Sequence, residues 1–240
     1  MEKAAATGPY EAPVFKIAGD RGLLVELGPG INPEVNARVR LLARRLQNEM
    51  NHGIREIIPT YRSVLIHYNP LAVSPETLAQ KIKALADFGT GREIPLEKTI
   101  EIPVCYGEDL GPDISNVGAS SGLSEREVIK IHSETSYQIY MVGFTPGFPF
   151  LGGLDPRLFT PRLETPRMKV PRGSVGIAND QTGIYPIASP GGWQIIGRTP
   201  LRLFAPEREN PFLYQAGDRI RFMPISRQEY EQLEKKEHAR

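Results

Sequence analysis

The segment of residues 143–200 constrains the fold more than any other part of this chain, because no helical periodicity of apolar residues survives within it. Its β-prone runs, for example 174–177 and 194–196, are only a few residues long, and glycine and proline separate them. Proline interrupts helices, and glycine permits tight turns. Short strands with this regular punctuation are typical of a β-barrel or a β-sandwich. The sequence therefore predicts a β-domain of one of these two kinds.

The residues before this segment combine strand-like and helix-like patterns. Asn32 followed by Pro33 is a signal for a helix start, and apolar residues then recur at helical spacing over residues 33–51. Ser74 and Pro75 repeat this signal before a second helix. The order of strands, helix, two strands and helix predicts a small α/β domain of the ferredoxin-like type. The strand-like runs are 14–17, 23–27, 54–59 and 63–68.

Three segments lie outside these patterns. Residues 1–13 are rich in Ala, Gly and Pro and contain no apolar run, so they are predicted to be a flexible arm and not a signal peptide. Residues 89–97 have the composition of a linker. Ser226 and Glu229 form a capping box, which predicts a charged helix at the surface over residues 226–240.

The charge and cysteine content exclude several classes of protein. The formal net charge is only +1, with 29 Lys and Arg against 28 Asp and Glu, so no global attraction to nucleic acid or to an anionic membrane is expected. The sequence contains no apolar run long enough to span a bilayer. Cys105 is the single cysteine, which excludes an internal disulfide and a cysteine-based zinc site and is typical of a cytoplasmic protein. We expect Cys105 to pack in the core.

The chain contains one exact match to a catalytic motif. Residues 118–122 fit Gly-x-Ser-x-Gly, but a nucleophile elbow follows a buried apolar strand, and the preceding residues 113–116 are polar. We therefore interpret this match as a loop before the helix that Ser124 and Glu127 cap. The sequence contains neither the phosphate-binding loop motif nor Gly-x-Gly-x-x-Gly.

Four cations are concentrated within eleven residues of the punctuated segment. Glu164 is the single acidic residue among them, and prolines 161, 166 and 171 stiffen the chain between them. A rigid extended ribbon holds its charges at fixed separations, which favours a site for a carboxylate or a phosphate. The alternative is a solvated surface loop. The cations are Arg162, Arg167, Lys169 and Arg172.

Residues 189–193 form a second motif, Ser-Pro-Gly-Gly-Trp, which contains the only tryptophan of the chain. Paired glycines permit positive φ angles and a close approach of the backbone to a ligand, and their N–H groups can form an anion-binding nest. The alternative is a hairpin turn with Trp193 in the core. Together with the ribbon and nearby aromatic residues, the motif predicts a basic, aromatic-edged cleft on the β-domain. The aromatic residues are Phe144, Phe148, Phe150 and Tyr185.

The pattern of one known family is matched most sharply by four segments, which are 143–154, 161–177, 181–186 and 189–204. With these segments the chain resembles the carboxyltransferase C–D subdomain family. That family includes the B subunit of the prokaryotic ATP-dependent 5-oxoprolinase, sporulation-kinase inhibitors and subunit 1 of allophanate hydrolase. The resemblance extends over about residues 14–223. It implies an α+β architecture, in which a small N-terminal α/β (ferredoxin-like) domain, residues 14–90, precedes a C-terminal cyclophilin-like β-barrel domain, residues 98–225.

The resemblance implies a non-autonomous subunit of an ATP-dependent amide (lactam) hydrolase. The chain is expected to act as the B subunit, together with the A and the homologous C subunits, in the hydrolysis of 5-oxo-L-proline to L-glutamate. ATP is expected at a site shared with a partner subunit, and no metal is expected to bind this chain alone. One alternative is a protein-binding module that inhibits the autophosphorylation of a sensor histidine kinase. The other is a subunit of an allophanate- or urea-type amide hydrolase or carboxylase.

The resemblance also implies roles for individual residues. Phosphorylation of a lactam oxygen places charge that cations stabilise, so Arg167, Lys169 and Arg172 are predicted to contact phosphate or carboxylate. His132 is the one histidine predicted as a catalytic base. Asn179-Asp180 departs from the glycine-containing turn that is common in the family, and this change is expected to alter substrate preference or to reshape the turn. The predicted substrate-binding residues are Phe144, Phe148, Ser174, Gln181, Tyr185, Gly191, Gly192, Trp193, Gln194 and Arg198.

Overall fold

Three sheets occur among the residues that the computed structural model describes, which are 8–50, 53–86 and 98–238. The chain divides into two compact units, residues 1–96 and 97–240. The first unit carries a four-stranded sheet, and the second carries a closed barrel and a two-stranded sheet. Residues 1–7 of the predicted arm and all of the predicted linker, 89–97, lie outside the described residues.

The described part of the first unit has four strands and two helices, in the order that the sequence predicts. They are β1 (Val14–Ala18), β2 (Gly22–Glu26), α1 (Pro33–Gln47), β3 (Ile54–Pro59), β4 (Ser63–Tyr68) and α2 (Pro75–Leu85). The strands form an antiparallel sheet in the order β1-β2-β4-β3. The first two strands, β1 and β2, form a hairpin. The assignment of this unit to the ferredoxin-like type stays a prediction.

The helices of this unit begin where their capping residues predict. The Asn32 side chain accepts hydrogen bonds from the backbone N–H groups of Glu34 and Val35, at 2.8 and 3.3 Å, and Ser74 caps α2 in the same manner. Helix α1 ends at Gln47, before the predicted end at residue 51. The predicted apolar face of α1 is buried in the core of the unit, together with residues of β2 and β4.

The second unit is built on a closed barrel of seven strands among the described residues. These are β5 (Thr99–Tyr106), β6 (Ser136–Val142), β7 (Pro149–Gly152), β9 (Ser174–Ala178), β10 (Gln181–Ile184), β12 (Gln194–Arg198) and β13 (Arg219–Pro224). Their order is β10-β7-β6-β13-β5-β12-β9, and pairing of β9 with β10 closes the barrel. Strands β8 (Arg167–Val170) and β11 (Ser189–Gly191) form a separate two-stranded sheet. The predicted β-domain is therefore a barrel, and it fits a cyclophilin-like fold.

Two apolar clusters organise this unit. The barrel interior is filled by alternate residues of the strands, such as Ile102, Val175 and Phe222, which are fully buried. A smaller cluster contains Phe148, Val170, Ala178, Tyr185, Trp193 and Ile195. This smaller cluster joins the two-stranded sheet to the barrel, because Val170 comes from β8 and Ile195 comes from β12.

The segment predicted as a loop around residues 118–122 is helical, so that part of the prediction was wrong. Helix α3 (Ile114–Ser121) ends at Gly122, whose left-handed φ of 65° closes it, and α4 (Glu125–Glu134) follows with the predicted capping box at Ser124. Ser120 donates its hydroxyl hydrogen bond to the carbonyl of Asn116, one turn earlier in α3. Ser120 therefore lies on a helix, and the strand-to-helix turn of a nucleophile elbow is not formed here.

The C-terminal helix α5 (Arg227–His238) is charged, as predicted, and its capping box is present, with Ser226 donating its backbone N–H to Glu229 at 2.7 Å. Tyr230 is the exception to its surface character, because this side chain is buried against Cys105 and Leu110. Cys105 is thus part of a packing cluster. Within the described ranges, no helix combines the length and apolar character needed to cross a membrane.

Candidate functional site

The predicted aromatic residues meet around Phe148. The Phe148 ring makes edge-to-face contacts with Tyr185 and Trp193, each at a centroid distance of 5.5 Å, and with Phe144 at 5.9 Å. Phe148, Tyr185 and Trp193 are buried, whereas Phe144 is 73% exposed. Phe148, Tyr185 and Trp193 therefore lie in the core, which for Trp193 was the alternative to a ligand-binding role. The Phe144 ring is the member of this group that is available to solvent.

Gly191 is explained by the close approach of Tyr185. A Cβ atom added at Gly191 would collide with the Tyr185 hydroxyl, and one added at Gly192 would meet Pro166 at an ordinary 3.5 Å. Neither glycine is in the left-handed region of φ, so the positive φ angles that paired glycines permit are not adopted here. An anion nest of the type that alternates right-handed and left-handed backbone conformations is consequently not formed at these two residues.

Two guanidinium groups lie near the buried Tyr185 hydroxyl. Burial raises the pKa of Tyr185, while a hydrogen bond from the Trp193 backbone and the positive charges of Arg162 and Arg167 act in the opposite direction. The ribbon bends at residues 164–165, which brings Arg162 and Arg167 toward the same phenol. We call Arg162, Arg167, Tyr185 and Trp193 the basic–aromatic cluster.

Asp113 fixes the guanidinium of Arg167, although no sequence pattern predicted a functional role for this residue. The Nη2 atom of Arg167 lies 2.7 Å from Oδ1 of Asp113, and its Nη1 donates a longer hydrogen bond of 3.4 Å to the Trp193 carbonyl. The other oxygen of Asp113 accepts the backbone N–H of Ile195 at 2.6 Å. Arg167 and Asp113 are 54 residues apart in sequence, so no local motif signals this pair.

The structure does not bring the four cations of the ribbon together. Lys169 is exposed on β8, two residues from Arg167. Arg172 lies beyond the far end of β8, where its carbonyl accepts a 2.8 Å hydrogen bond from Nε of Arg198. Arg172 lines a separate cavity of about 520 Å³, together with residues such as Arg202 and Glu237. Arg172 and Arg198 therefore lie apart from the basic–aromatic cluster.

The polar residues predicted to orient a substrate are also dispersed. The side-chain amide of Gln194 donates to the Pro161 carbonyl at 3.1 Å, and its buried Oε1 has no hydrogen-bond partner in the described part of the chain. Ser174 is buried and pairs with Arg198 across β9 and β12. Gln181 begins β10, after the tight turn at Asn179-Asp180, where Asn179 has a left-handed φ of 53°. Gln194 contacts the ribbon through its side chain, at Pro161, whereas Ser174 contacts it through its backbone N–H, at Pro171.

The position of His132 argues against the predicted role as a base. The imidazole is fully buried, and it stacks on Phe222 at a centroid distance of 4.5 Å. Its Nδ1 lies 2.8 Å from the Tyr106 hydroxyl, and its Nε2 lies 2.9 Å from the Thr182 hydroxyl. Burial lowers the pKa of His132 from 6.5 to about 3. Both ring nitrogens are therefore engaged inside the barrel unit, and no substrate reaches them in this conformation.

A cavity of about 430 Å³ lies beside the aromatic group. Phe144 forms one of its walls and has a left-handed φ of 67°, which is a strained conformation for a residue with a side chain. Phe212 and Tyr214 form another part of the wall, and the Tyr214 hydroxyl donates to the Gly147 carbonyl at 2.7 Å. Phe144 also contacts Phe148, and the Phe148 ring in turn packs on Tyr185 and Trp193 of the basic–aromatic cluster.

These features define an α+β protein with a closed, cyclophilin-like barrel that carries basic and aromatic side chains on one side. The chain belongs to the family described as the carboxyltransferase domain, subdomain C and D, whose model matches residues 13–214. This confirms the family that the sequence resembles.

Individual relatives extend this result. The chain is 40% identical over 223 residues to a protein named as the B subunit of 5-oxoprolinase from Bacillus subtilis (strain 168), covering 88% of this chain and 92% of that one. It is 26% identical over 267 residues to a protein named urea amidolyase from Saccharomyces cerevisiae (strain ATCC 204508 / S288c), covering 97% of this chain and 14% of that one. A solved structure titled TTHA0988 matches with a TM-score of 0.76 and 37% identity, over 86% of this chain and 40% of that one. The chain thus spans less than half of the urea amidolyase and of the solved chain.

Proposed function

We propose that this chain is the B subunit of an ATP-dependent 5-oxoprolinase and acts with the A and the homologous C subunits. The observation that carries the proposal is the 40% identity to the B subunit of a 5-oxoprolinase, which extends over 92% of that relative. In the proposed reaction ATP and water are consumed, the lactam C–N bond of 5-oxo-L-proline breaks, and L-glutamate, ADP and phosphate are released. The relative is named as one subunit of an enzyme, which supports a complex, and ATP then binds at a site shared with a partner.

The basic–aromatic cluster suits this substrate chemically. A lactam carbonyl is a poor electrophile, and its oxygen becomes charged when it is activated, so cations beside it lower the barrier. 5-Oxo-L-proline also carries a carboxylate, which a guanidinium binds in a fixed geometry. Arg162 and Arg167 supply two guanidinium groups whose positive charges act on the Tyr185 hydroxyl. We assign them the substrate carboxylate or the activated lactam oxygen, and we assign Lys169 to the phosphate.

ADP release tests this proposal directly. The chain is combined with its co-purified A and C partners, and ADP is measured after addition of ATP with and without 5-oxo-L-proline. We expect substrate-dependent ADP release from the full mixture and none from this chain alone. Arg167→Ala is expected to lower kcat/KM roughly 100-fold, because a preorganised charge beside the reacting group is removed. Arg44→Ala, an arginine on α1 of the other unit, is the matched control.

The urea-type alternative is the second candidate, and the similarity to urea amidolyase over 97% of this chain favours it. The same assembled mixture is tested with urea and with allophanate in place of 5-oxo-L-proline. ADP release with one of these and not with 5-oxo-L-proline would reassign the substrate. The kinase-inhibitor alternative stays a prediction, for which the exposed Phe144 ring is the first surface residue to replace.

A further inference from the structure

We infer that Asp113 is the positioning residue that orients Arg167 toward the substrate. This inference rests on the proposed 5-oxoprolinase function, in which Arg167 binds the substrate. Asp113 itself is not exposed to a ligand, because its side chain is only 6% accessible. It acts through Arg167, whose side chain is 32% accessible and therefore able to reach a bound molecule.

The segment that carries Asp113 takes the place of a neighbouring strand beside β12. Strand β5 pairs with β12 only at Gly197 and Arg198, so the backbone of Ile195 needs other partners on that side. Asp113 supplies both of them. Its backbone N–H donates to the Ile195 carbonyl at 2.9 Å, and its Oδ2 accepts the Ile195 N–H at 2.6 Å. The carboxylate is thereby fixed to the barrel wall through two bonds of one residue.

The remaining oxygen of Asp113 contacts Arg167 and does not cap helix α3. Asp113 occupies the position before α3, where aspartate normally accepts hydrogen bonds from the first turn. Here its side chain makes no capping hydrogen bond, and its φ and ψ of −106° and 5° differ from the extended conformation of the caps at Ser74 and Ser124. The carboxylate therefore serves the Arg167 contact and Ile195 rather than the helix.

This pairing prepares Arg167 for binding. A buried carboxylate requires a positive partner, and Arg167 is the partner that the described residues provide. The Nη2 contact to Asp113 and the Nη1 contact to the Trp193 carbonyl hold the planar guanidinium in one orientation. A guanidinium has more N–H donors than these two contacts use, so donors remain for an anion beside Tyr185. The conformational entropy of the Arg167 side chain is therefore lost on folding and not on substrate binding.

The test is a double-mutant cycle on the assembled complex. Asp113→Asn, Arg167→Ala and the double variant are compared with wild type by kcat, KM for 5-oxo-L-proline and thermal midpoint. We expect Asp113→Asn to lower kcat/KM roughly 10- to 100-fold, because a displaced guanidinium no longer meets the reacting group. In the Arg167→Ala background the same change is expected to have no further effect on kcat/KM. Asp109→Asn, an exposed aspartate that pairs with Arg227, is the matched control.

The outcomes separate this inference from the proposed function. A complex with no 5-oxoproline-dependent ADP release overturns the function, and wild-type turnover in Arg167→Ala overturns the role of that arginine. If Arg167→Ala is impaired and Asp113→Asn changes only the thermal midpoint, Asp113 is structural and the inference falls. An equal further loss in the Arg167→Ala background overturns it as well. Should Asp113→Asn not fold, Asp113→Glu keeps the charge but displaces Arg167. Its kcat/KM is then expected to fall at a thermal midpoint close to wild type, and unchanged kcat/KM counts against the inference.

Discussion

Acidification is expected to destabilise the second unit through His132. The hydrogen bonds around this residue define its neutral tautomer. The Thr182 hydroxyl donates to the Gly176 carbonyl at 3.1 Å, so it accepts a hydrogen bond from Nε2–H of His132. The other nitrogen, Nδ1, then accepts the hydrogen bond from the Tyr106 hydroxyl. A proton added to this ring would place a charge among Tyr106, Tyr137 and Phe222, away from water.

The magnitude follows from the two pKa values of His132. Burial lowers its pKa from 6.5 to about 3 in the folded protein. Between these values the unfolded chain binds a proton that the folded protein does not bind, so stability is fully present above pH 6.5 and is lost as the pH falls toward 3. Each pH unit in this window corresponds to about 1.4 kcal/mol. At pH 4.5 the loss from His132 alone is roughly 3 kcal/mol.

Denaturant unfolding of wild type and His132→Gln at pH 7.5 and pH 4.5 measures this contribution. The excess stability of wild type over the variant is expected to shrink by roughly 3 kcal/mol at the lower pH. His67→Gln is the control, because it makes the same substitution at a histidine that is 47% exposed beside Glu56. A difference in unfolding free energy between wild type and His132→Gln that is the same at both pH values would refute the reasoning. If His132→Gln does not fold, NMR titration of the wild-type imidazole decides, and a ring protonated at pH 5 in the folded protein would equally refute it.

Two further predictions concern packing and charge in the two units. Gly191→Ala is expected to lower stability by about 1–3 kcal/mol, since the new Cβ collides with the Tyr185 hydroxyl, whereas Gly192→Ala should leave the thermal midpoint nearly unchanged. Equal midpoints in the two variants would contradict this. In the first unit, the buried Glu26 pairs with Lys16 at 2.7 Å and Arg62 at 2.9 Å, and the Lys16 hydrogen bond lowers its pKa. Its contribution is present above its unfolded pKa and lost on acidification, so Glu26→Gln should reduce the unfolding free energy at pH 7 and lose this effect as the carboxylate protonates. A deficit that persists unchanged in acid would count against the charge pairing.

The architecture was predictable because its signals are local. Capping residues such as Asn32, Ser74 and Ser124 act within one helical turn, and the capping hydrogen bonds are all present. The short strands of residues 143–200 were identified by punctuation that acts on neighbouring residues. Helix α3 was missed because Ser, Asn and Gly in its sequence favour turns, and burial of Ile114 and Val117 overrides that preference.

The candidate site depends on contacts between residues that are distant in sequence, so the spacing of residues along the chain does not predict it. Four cations within eleven residues indicate one concentrated charge, but an extended strand advances about 3.3 Å per residue. Strand β8 therefore separates Arg167 from Val170 by roughly 10 Å, and Arg172 lies in the turn beyond its far end. The rigidity that was predicted for the ribbon therefore separates these two cations. The chain bends between Arg162 and Arg167, Leu163 donates its N–H to the Gly192 carbonyl at 2.7 Å, and both positive charges act on Tyr185. The residue that then fixes Arg167 is Asp113, from a segment 54 positions earlier. The buried partners of the cations in the ribbon, such as Asp113 beside Arg167, therefore decide which of these cations can serve the proposed anion site.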